Sequence, residues 1–63
     1  MLSKNIKKYR RKKKLSKLEL SRRTALSART IDFLENGTIE NPKLKTLQVL
    51  SKALEVDLEE LLK

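Results

Sequence analysis

The chain has no cysteine and no histidine among its 63 residues. Disulfide bonds are therefore excluded, and so are metal sites built from thiolate or imidazole ligands. Glycine and proline occur once each, and only 3% of the residues are aromatic. We therefore expect aliphatic packing alone to fold the chain, with no metal ion and no cofactor.

Long hydrophobic runs are also absent. The segment after Met1 is polar and basic from Ser3 onward, and no apolar run is long enough for a signal peptide or a membrane span. We expect a cytoplasmic protein, bacterial or phage-encoded, without a membrane partner. A chain this short holds one small core, so we predict a single domain over residues 1–63 with marginal stability.

Acidic residues are scarce in the first half of the chain. Residues 1–30 carry twelve basic and one acidic side chain, whereas residues 31–63 carry four and seven, within a net charge of +8. This asymmetry favours nucleic acid or an anionic membrane surface as the partner. The basic run at residues 10–14 is compatible with a localisation signal, an RNA-binding arm, a lipid-binding patch or a solvated helix end.

The central stretch from Leu15 to Gly37 predicts two short helices joined by a tight turn. Ser16 and Glu19 have the spacing of a capping box, which starts the first of these helices. Ser27 can cap the second, and Gly37 can supply the left-handed residue that ends it. The short connection suits a sharply crossed helix pair.

Helices are also expected on both sides of this pair. Before it, Leu2, Ile6 and Tyr9 have helical spacing. After it, one helix face comprises Leu44, Leu47, Leu50, Ser51 and Leu54. A final short helix has an apolar face of Leu58, Leu61 and Leu62, and Asp57 and Glu60 at its start have a second capping-box spacing. The expected helices span about 3–13, 17–24, 28–36, 44–54 and 58–62, and no strand is predicted.

The segments LSKLELSRRTALSARTIDFLENG and NPKLKTLQVLSKALEVDLEELL resemble the phage-repressor type of helix-turn-helix, the xenobiotic-response-element family that includes lambda and 434 repressors and Cro proteins. The similarity covers nearly the whole chain, and the family's inward apolar positions fall on Leu20, Leu26, Ile31 and Leu34. The resemblance implies a compact all-α, five-helix fold that binds double-stranded DNA.

The chain departs from the family pattern at four positions. Ala25 stands where the family usually has glycine in the turn, and Thr24 replaces a larger aliphatic residue. Lys14 and Glu55 occupy places where glycine commonly ends a helix. A left-handed backbone at Ala25 costs roughly 1 kcal/mol or more, so we expect lower stability and an unchanged architecture.

A helix beginning after Ser27 turns Ile31 and Leu34 inward and leaves four predicted base contacts on the outer side, namely Ala28, Arg29, Asp32 and Phe33. Arg29 can bond to guanine O6 and N7, and Asp32 can accept from cytosine N4. Ala28 and Phe33 can contact thymine methyl groups. Two alternatives are that Asp32 pairs with Arg29 and that Phe33 belongs to the core.

Phosphate contacts are expected around this outer face. The helix after Ser16 begins with free N–H groups and carries Lys17 in its first turn. Ser16 and Ser27 are further candidates, and Thr30 can reach a phosphate or a thymine methyl group. The resemblance implies that Asn36 and Lys43 lie along the opposite flank of the groove, where they can also contact phosphates. Arg22 and Arg23 are either additional phosphate contacts or solvated charges.

The resemblance also implies two structural roles. Arg10 and Glu35 match positions that form an ion pair in the resembled repressors, so we predict that Arg10 supports the fold and does not bind DNA. Such proteins dimerise over half-sites about 34–36 Å apart, a spacing known from phage repressors themselves. Because the C-terminal end is apolar and lacks the basic excess, we expect the homodimer contact there, formed at least on DNA, at Val56, Leu58 and Glu59.

The pattern as a whole predicts a sequence-specific DNA-binding transcriptional regulator, a repressor on a pseudo-palindromic operator. The alternative is a helical protein-interaction module, antitoxin-like or coactivator, that uses the same fold; the charge asymmetry favours the first. We expect neither an enzyme nor a small-molecule substrate, because catalytic groups would have to converge in a pocket for which helices this short leave little room.

Overall fold

The computed structural model describes all residues 1–63 and consists of five α-helices without a β-strand. The helices are α1 Leu2–Lys12, α2 Lys17–Thr24, α3 Ala28–Asn36, α4 Leu44–Leu54 and α5 Leu58–Leu62. The all-α, five-helix prediction is confirmed. Only α1 differs in its bounds, since it begins and ends one residue earlier than the spacing predicted.

One cluster of buried aliphatic side chains holds the five helices together. Helix α1 lies against α3, α4 and α5, while α2 lies against α3 and α4. Burial of these side chains supplies the main favourable free energy of folding, about 25 cal/mol for each Å² removed from water. The cluster consists of Ile6, Leu15, Leu20, Ile31, Leu34, Leu50, Leu54 and Leu61, and Leu26 packs at its edge.

Serine caps begin the two central helices, as the sequence predicted. The Ser16 hydroxyl accepts the Glu19 N–H at 3.0 Å, and the Glu19 carboxylate accepts the Ser16 N–H at 2.9 Å. The Ser27 hydroxyl accepts the Thr30 N–H at 3.0 Å. Because each cap satisfies a donor that a helix leaves free, it defines where α2 and α3 begin.

The second predicted capping box, at Asp57 and Glu60, is wrong. The Asp57 side chain makes no capping hydrogen bond. The Glu60 carboxylate instead accepts the Tyr9 hydroxyl at 3.1 Å and the Lys63 ammonium at 3.0 Å. A partner on α1 and one at the chain end therefore replace the local bond, and the contact with Tyr9 ties α1 to α5.

Two leucines that were predicted to line helix faces are largely exposed. Leu44 is 59% exposed and Leu62 is 53% exposed, whereas Leu50 has no exposed surface. Leu44 is the first residue of α4 and Leu62 is the last of α5. The buried residues of α4 begin at Leu47, and α5 is buried at Leu61, so helical spacing alone overestimated the buried face.

Three residues with a side chain occupy the left-handed backbone region. Lys14, Ala25 and Glu55 have φ values of 58°, 63° and 57°. Each follows or closes a helix, where glycine is the usual residue. The left-handed backbone expected at Ala25 is therefore present, and this conformation costs roughly 1–2 kcal/mol for a residue with a Cβ atom.

We expect Ala25→Gly to raise the free energy of unfolding by about 0.5–1 kcal/mol, because relief of left-handed strain exceeds the entropy that glycine adds to the unfolded chain. Urea denaturation measures the change. Ala53→Gly, inside α4, is the matched control and should lower stability by about 1 kcal/mol. Equal losses in both variants would show that the turn at Ala25 is not strained.

Candidate nucleic-acid interface

Helix α3 has a fully buried side and an exposed side. Ile31 is 0% exposed and Leu34 is 1% exposed, which fixes the rotation of the helix on the core. The four predicted base contacts share the opposite side, where Ala28 and Arg29 are exposed and Asp32 and Phe33 are half-buried. Their side chains therefore form one surface.

Arg29 and Phe33 contact each other on this surface. The guanidinium of Arg29 lies 5.6 Å from the centroid of the Phe33 ring, within the range of a cation–π interaction. Phe33 is half-buried, but it lies neither in the buried core cluster nor among the side chains packed against that cluster, so the alternative of a partly buried core residue is wrong. The ring instead supports the guanidinium, which remains exposed.

Asp32 pairs with Lys17 across the two central helices. The Lys17 ammonium donates to the Asp32 carboxylate at 2.6 Å, so the alternative pairing with Arg29 is wrong. The hydrogen bond and the charge of Lys17 lower the pKa of Asp32, and the charge of Lys7 on α1 adds to this. Two predicted DNA contacts are therefore engaged with each other. Neighbours within α3 could not reveal this partner, because Lys17 lies on α2.

The serine and threonine hydroxyls among the predicted phosphate contacts are already hydrogen-bonded. Ser16 and Ser27 cap their helices, and the Thr30 hydroxyl lies 2.9 Å from the Ser27 hydroxyl. The remaining backbone N–H groups in the first turns of α2 and α3 can still donate hydrogen bonds to an anion. The hydrogen bond to Ser16 also lowers the pKa of Glu19, so its carboxylate stays charged while it closes the cap.

Asn36 and Lys43 follow the end of α3. The Asn36 side-chain oxygen accepts the Thr38 N–H at 2.9 Å, which leaves the amide nitrogen of Asn36 available as a donor. Lys43 precedes α4, is exposed and forms no ion pair. Both side chains can therefore donate to a phosphate.

Thr24 has a role that the sequence did not indicate. It is 7% exposed, and its hydroxyl donates to the Leu20 carbonyl at 2.8 Å and accepts the Leu26 N–H at 3.2 Å. The hydroxyl thus connects the end of α2 to the turn before α3. Threonine hydroxyls commonly bond to the carbonyl four residues earlier in a helix, which was the available signal.

Arg10 and Glu35 form a buried, bidentate ion pair. The Arg10 Nε lies 2.6 Å from one carboxylate oxygen and Nη2 lies 3.0 Å from the other, while Nη1 donates to the Leu15 carbonyl at 2.8 Å. Arg10 is 9% exposed and Glu35 is 5% exposed. The guanidinium connects α1 to the end of α3 and is not available to DNA.

Other cations of α1 and of the turn after it remain without a carboxylate partner. Lys13 pairs with Glu55, but no ion pair involves Lys4, Lys7, Lys8, Arg11, Lys12 or Lys14. Lys8 and Lys12 lie 5.1 Å and 5.8 Å from the centroid of the Tyr9 ring. This unpaired charge produces a positive field that attracts polyanions.

A helix-turn-helix family model matches residues 6–61, which include α2, the turn, α3 and the helices that support them. The chain belongs to the helix-turn-helix family of lambda repressor and Cro type. It is accordingly a DNA-binding helix-turn-helix domain, in which α2 and α3 are the two helices of the motif. Searches of curated proteins and of solved structures found no match. No helix combines the length and apolar character needed to cross a membrane.

Proposed function

We propose that this helix-turn-helix domain is a sequence-specific transcriptional regulator that acts as a repressor by occupying a pseudo-palindromic operator. The observation that carries the proposal is the exposed side of α3, where Arg29 rests on the Phe33 ring. A major groove admits an α-helix, and an exposed guanidinium is the commonest side chain to read guanine there. Ala28 contributes a small apolar contact beside it.

Base contacts and phosphate contacts have separate tasks in this proposal. Arg29, Asp32, Ala28 and Phe33 distinguish bases by hydrogen bonds and by contact with thymine methyl groups. The first turns of α2 and α3 bind phosphates and set the position of α3 on the duplex. Thr30, Asn36 and Lys43 supply further phosphate contacts.

Dimerisation completes the proposal, because a single domain reads only a few base pairs. Val56 and Leu58 are half-buried and Glu59 is exposed, at the end of the chain that lacks the basic excess. We place the contact between two copies there, with the second copy on the other half-site. A regulator of this kind acts in the cytoplasm of a bacterium, encoded by the bacterium or by a phage.

Selection of duplexes from a randomised pool tests the proposed function. The wild-type protein should enrich a pseudo-palindrome containing guanine in each half-site. Arg29→Ala should lose about 1–3 kcal/mol of discrimination at that guanine. The matched control is Arg11→Ala on α1, which removes the same charge and should weaken binding to all duplexes alike.

Two outcomes of the selection would contradict the proposal. Equal affinity of the wild type for every duplex would remove sequence specificity. Unchanged discrimination in Arg29→Ala would remove Arg29 from base recognition. Binding of a protein partner that Arg29→Ala leaves unaffected, without duplex enrichment, would favour the protein-interaction module.

A further inference from the structure

The ion pair between Lys17 and Asp32 places opposite charges in contact on the DNA-facing surface. Lys17 lies in the first turn of α2, Asp32 lies on the exposed side of α3, and their charged atoms are 2.6 Å apart. The two side chains are 43% and 50% exposed, so a docking duplex can reach both. To bind DNA, the Lys17 ammonium and the Asp32 carboxylate must either break their ion pair or each bind DNA in addition to it.

Asp32 is an unusual charge for this position. Residues 1–34 contain only one other acidic residue, Glu19, and its carboxylate is turned back to the Ser16 N–H. Asp32 is therefore the carboxylate that α3 presents to the DNA. In a complex with DNA, the negative phosphates of the duplex repel the carboxylate of Asp32. Docking also removes part of the water that hydrates this carboxylate.

A base with an exocyclic amino group can offset this repulsion and loss of hydration at Asp32. Lys17 bonds one carboxylate oxygen of Asp32, and the other oxygen has no hydrogen-bond partner in the protein. Cytosine N4 and adenine N6 both donate in the major groove, whereas guanine O6 and thymine O4 only accept. A DNA site with a base amino group opposite Asp32 donates a hydrogen bond to the second carboxylate oxygen. Any other DNA site leaves this oxygen without water and next to base atoms that can only accept hydrogen bonds.

Building on the proposed function, we propose that Asp32, held by Lys17, is a specificity-determining residue that lowers the affinity for non-cognate DNA. It does so in two ways. Its charge penalises every duplex without an amino donor at that position, and its ion pair withholds Lys17 from the phosphates. Specificity is a difference of affinities, so weakening the wrong complexes is as effective as strengthening the right one.

The salt dependence of binding to a scrambled duplex shows whether Lys17 contacts a phosphate. Each phosphate that a protein neutralises makes the slope of log K against log salt steeper by about 0.9. In Asp32→Asn, Lys17 becomes free, so the slope should steepen by about 0.9 and affinity at about 0.1 M salt should rise roughly eightfold. The ratio of operator to scrambled affinity should fall, because only the operator also loses a charged acceptor.

Two further variants isolate the mechanism. Asp57→Asn makes the same chemical change at an exposed residue before α5, and should alter the affinity for the scrambled duplex by less than about twofold, since salt screens distant charge. Lys17→Met combined with Asp32→Asn should return the slope to about the wild-type value, because no lysine is released. Circular dichroism checks that each variant is folded.

The outcomes separate this inference from the proposed function. If Asp32→Asn and Asp57→Asn change affinity equally, Asp32 contributes only net charge and the inference fails. If the double variant keeps the steeper slope, Lys17 is not the withheld cation and the inference also fails. A wild-type protein that enriches no duplex would instead refute the proposed function itself.

Discussion

Arg10→Met should lower the free energy of unfolding by about 3–5 kcal/mol, because it leaves the Glu35 charge buried without a partner. Glu35 is 5% exposed, and its two carboxylate oxygens accept from Arg10 Nε and Nη2. The Leu15 carbonyl loses its side-chain donor as well. A chain of this length has a total stability of roughly 3–9 kcal/mol, so the substitution should remove a large part of that stability.

Thermal and urea denaturation of Arg10→Met test this expectation. The matched control is Arg11→Met, an exposed neighbour without an ion-pair partner, which should stay within about 0.5 kcal/mol of the parent. Arg10→Met combined with Glu35→Leu should recover most of the loss, since it removes both buried charges. An Arg10→Met protein that melts within about one degree of the parent would show that the pair does not support the fold.

Leu50→Ala should have the second largest effect, a loss of about 2–5 kcal/mol. Leu50 has no exposed surface and belongs to the cluster that positions α3 through Ile31 and Leu34. The substitution removes apolar contacts and leaves a cavity that a close-packed core refills only in part. DNA binding should fall with the folded fraction.

Leu44→Ala provides a control on the same helix with the same substitution. Leu44 is 59% exposed, so its truncation should change stability by no more than about 0.5 kcal/mol. The two midpoints in urea should therefore differ clearly. Similar losses in both variants would mean that the first turn of α4 is packed against the core.

Much of the interface was predictable because its signals are local. Ser16 and Ser27 cap the helices to which the sequence assigned them, and the spacing of Ile31 and Leu34 predicted which side of α3 faces outward. A capping bond joins residues three positions apart, and helical spacing repeats every 3.6 residues. The starts of α2 and α3 follow from these short-range rules.

The partners of charged and polar side chains were less predictable from residue spacing. Asp32 has Arg29 three residues before it but pairs with Lys17, and Glu60 has Asp57 three residues before it but accepts from Tyr9. Thr24 has a hydroxyl where an aliphatic side chain was expected, and it connects α2 to the turn. In each case a group distant in sequence, or a backbone atom of the turn, satisfied the side chain.

The amino-acid sequence alone determined the number of helices, the bounds of all of them except α1, the family resemblance and the side of α3 that faces outward. Only the tertiary structure decided which charges are neutralised, which leucines lie at an uncovered helix end and how Arg29 rests on Phe33. The physical reason is the distance along the sequence over which each interaction acts. Capping and helical periodicity act over three or four residues, whereas ion pairs and burial depend on which helices the fold brings into contact.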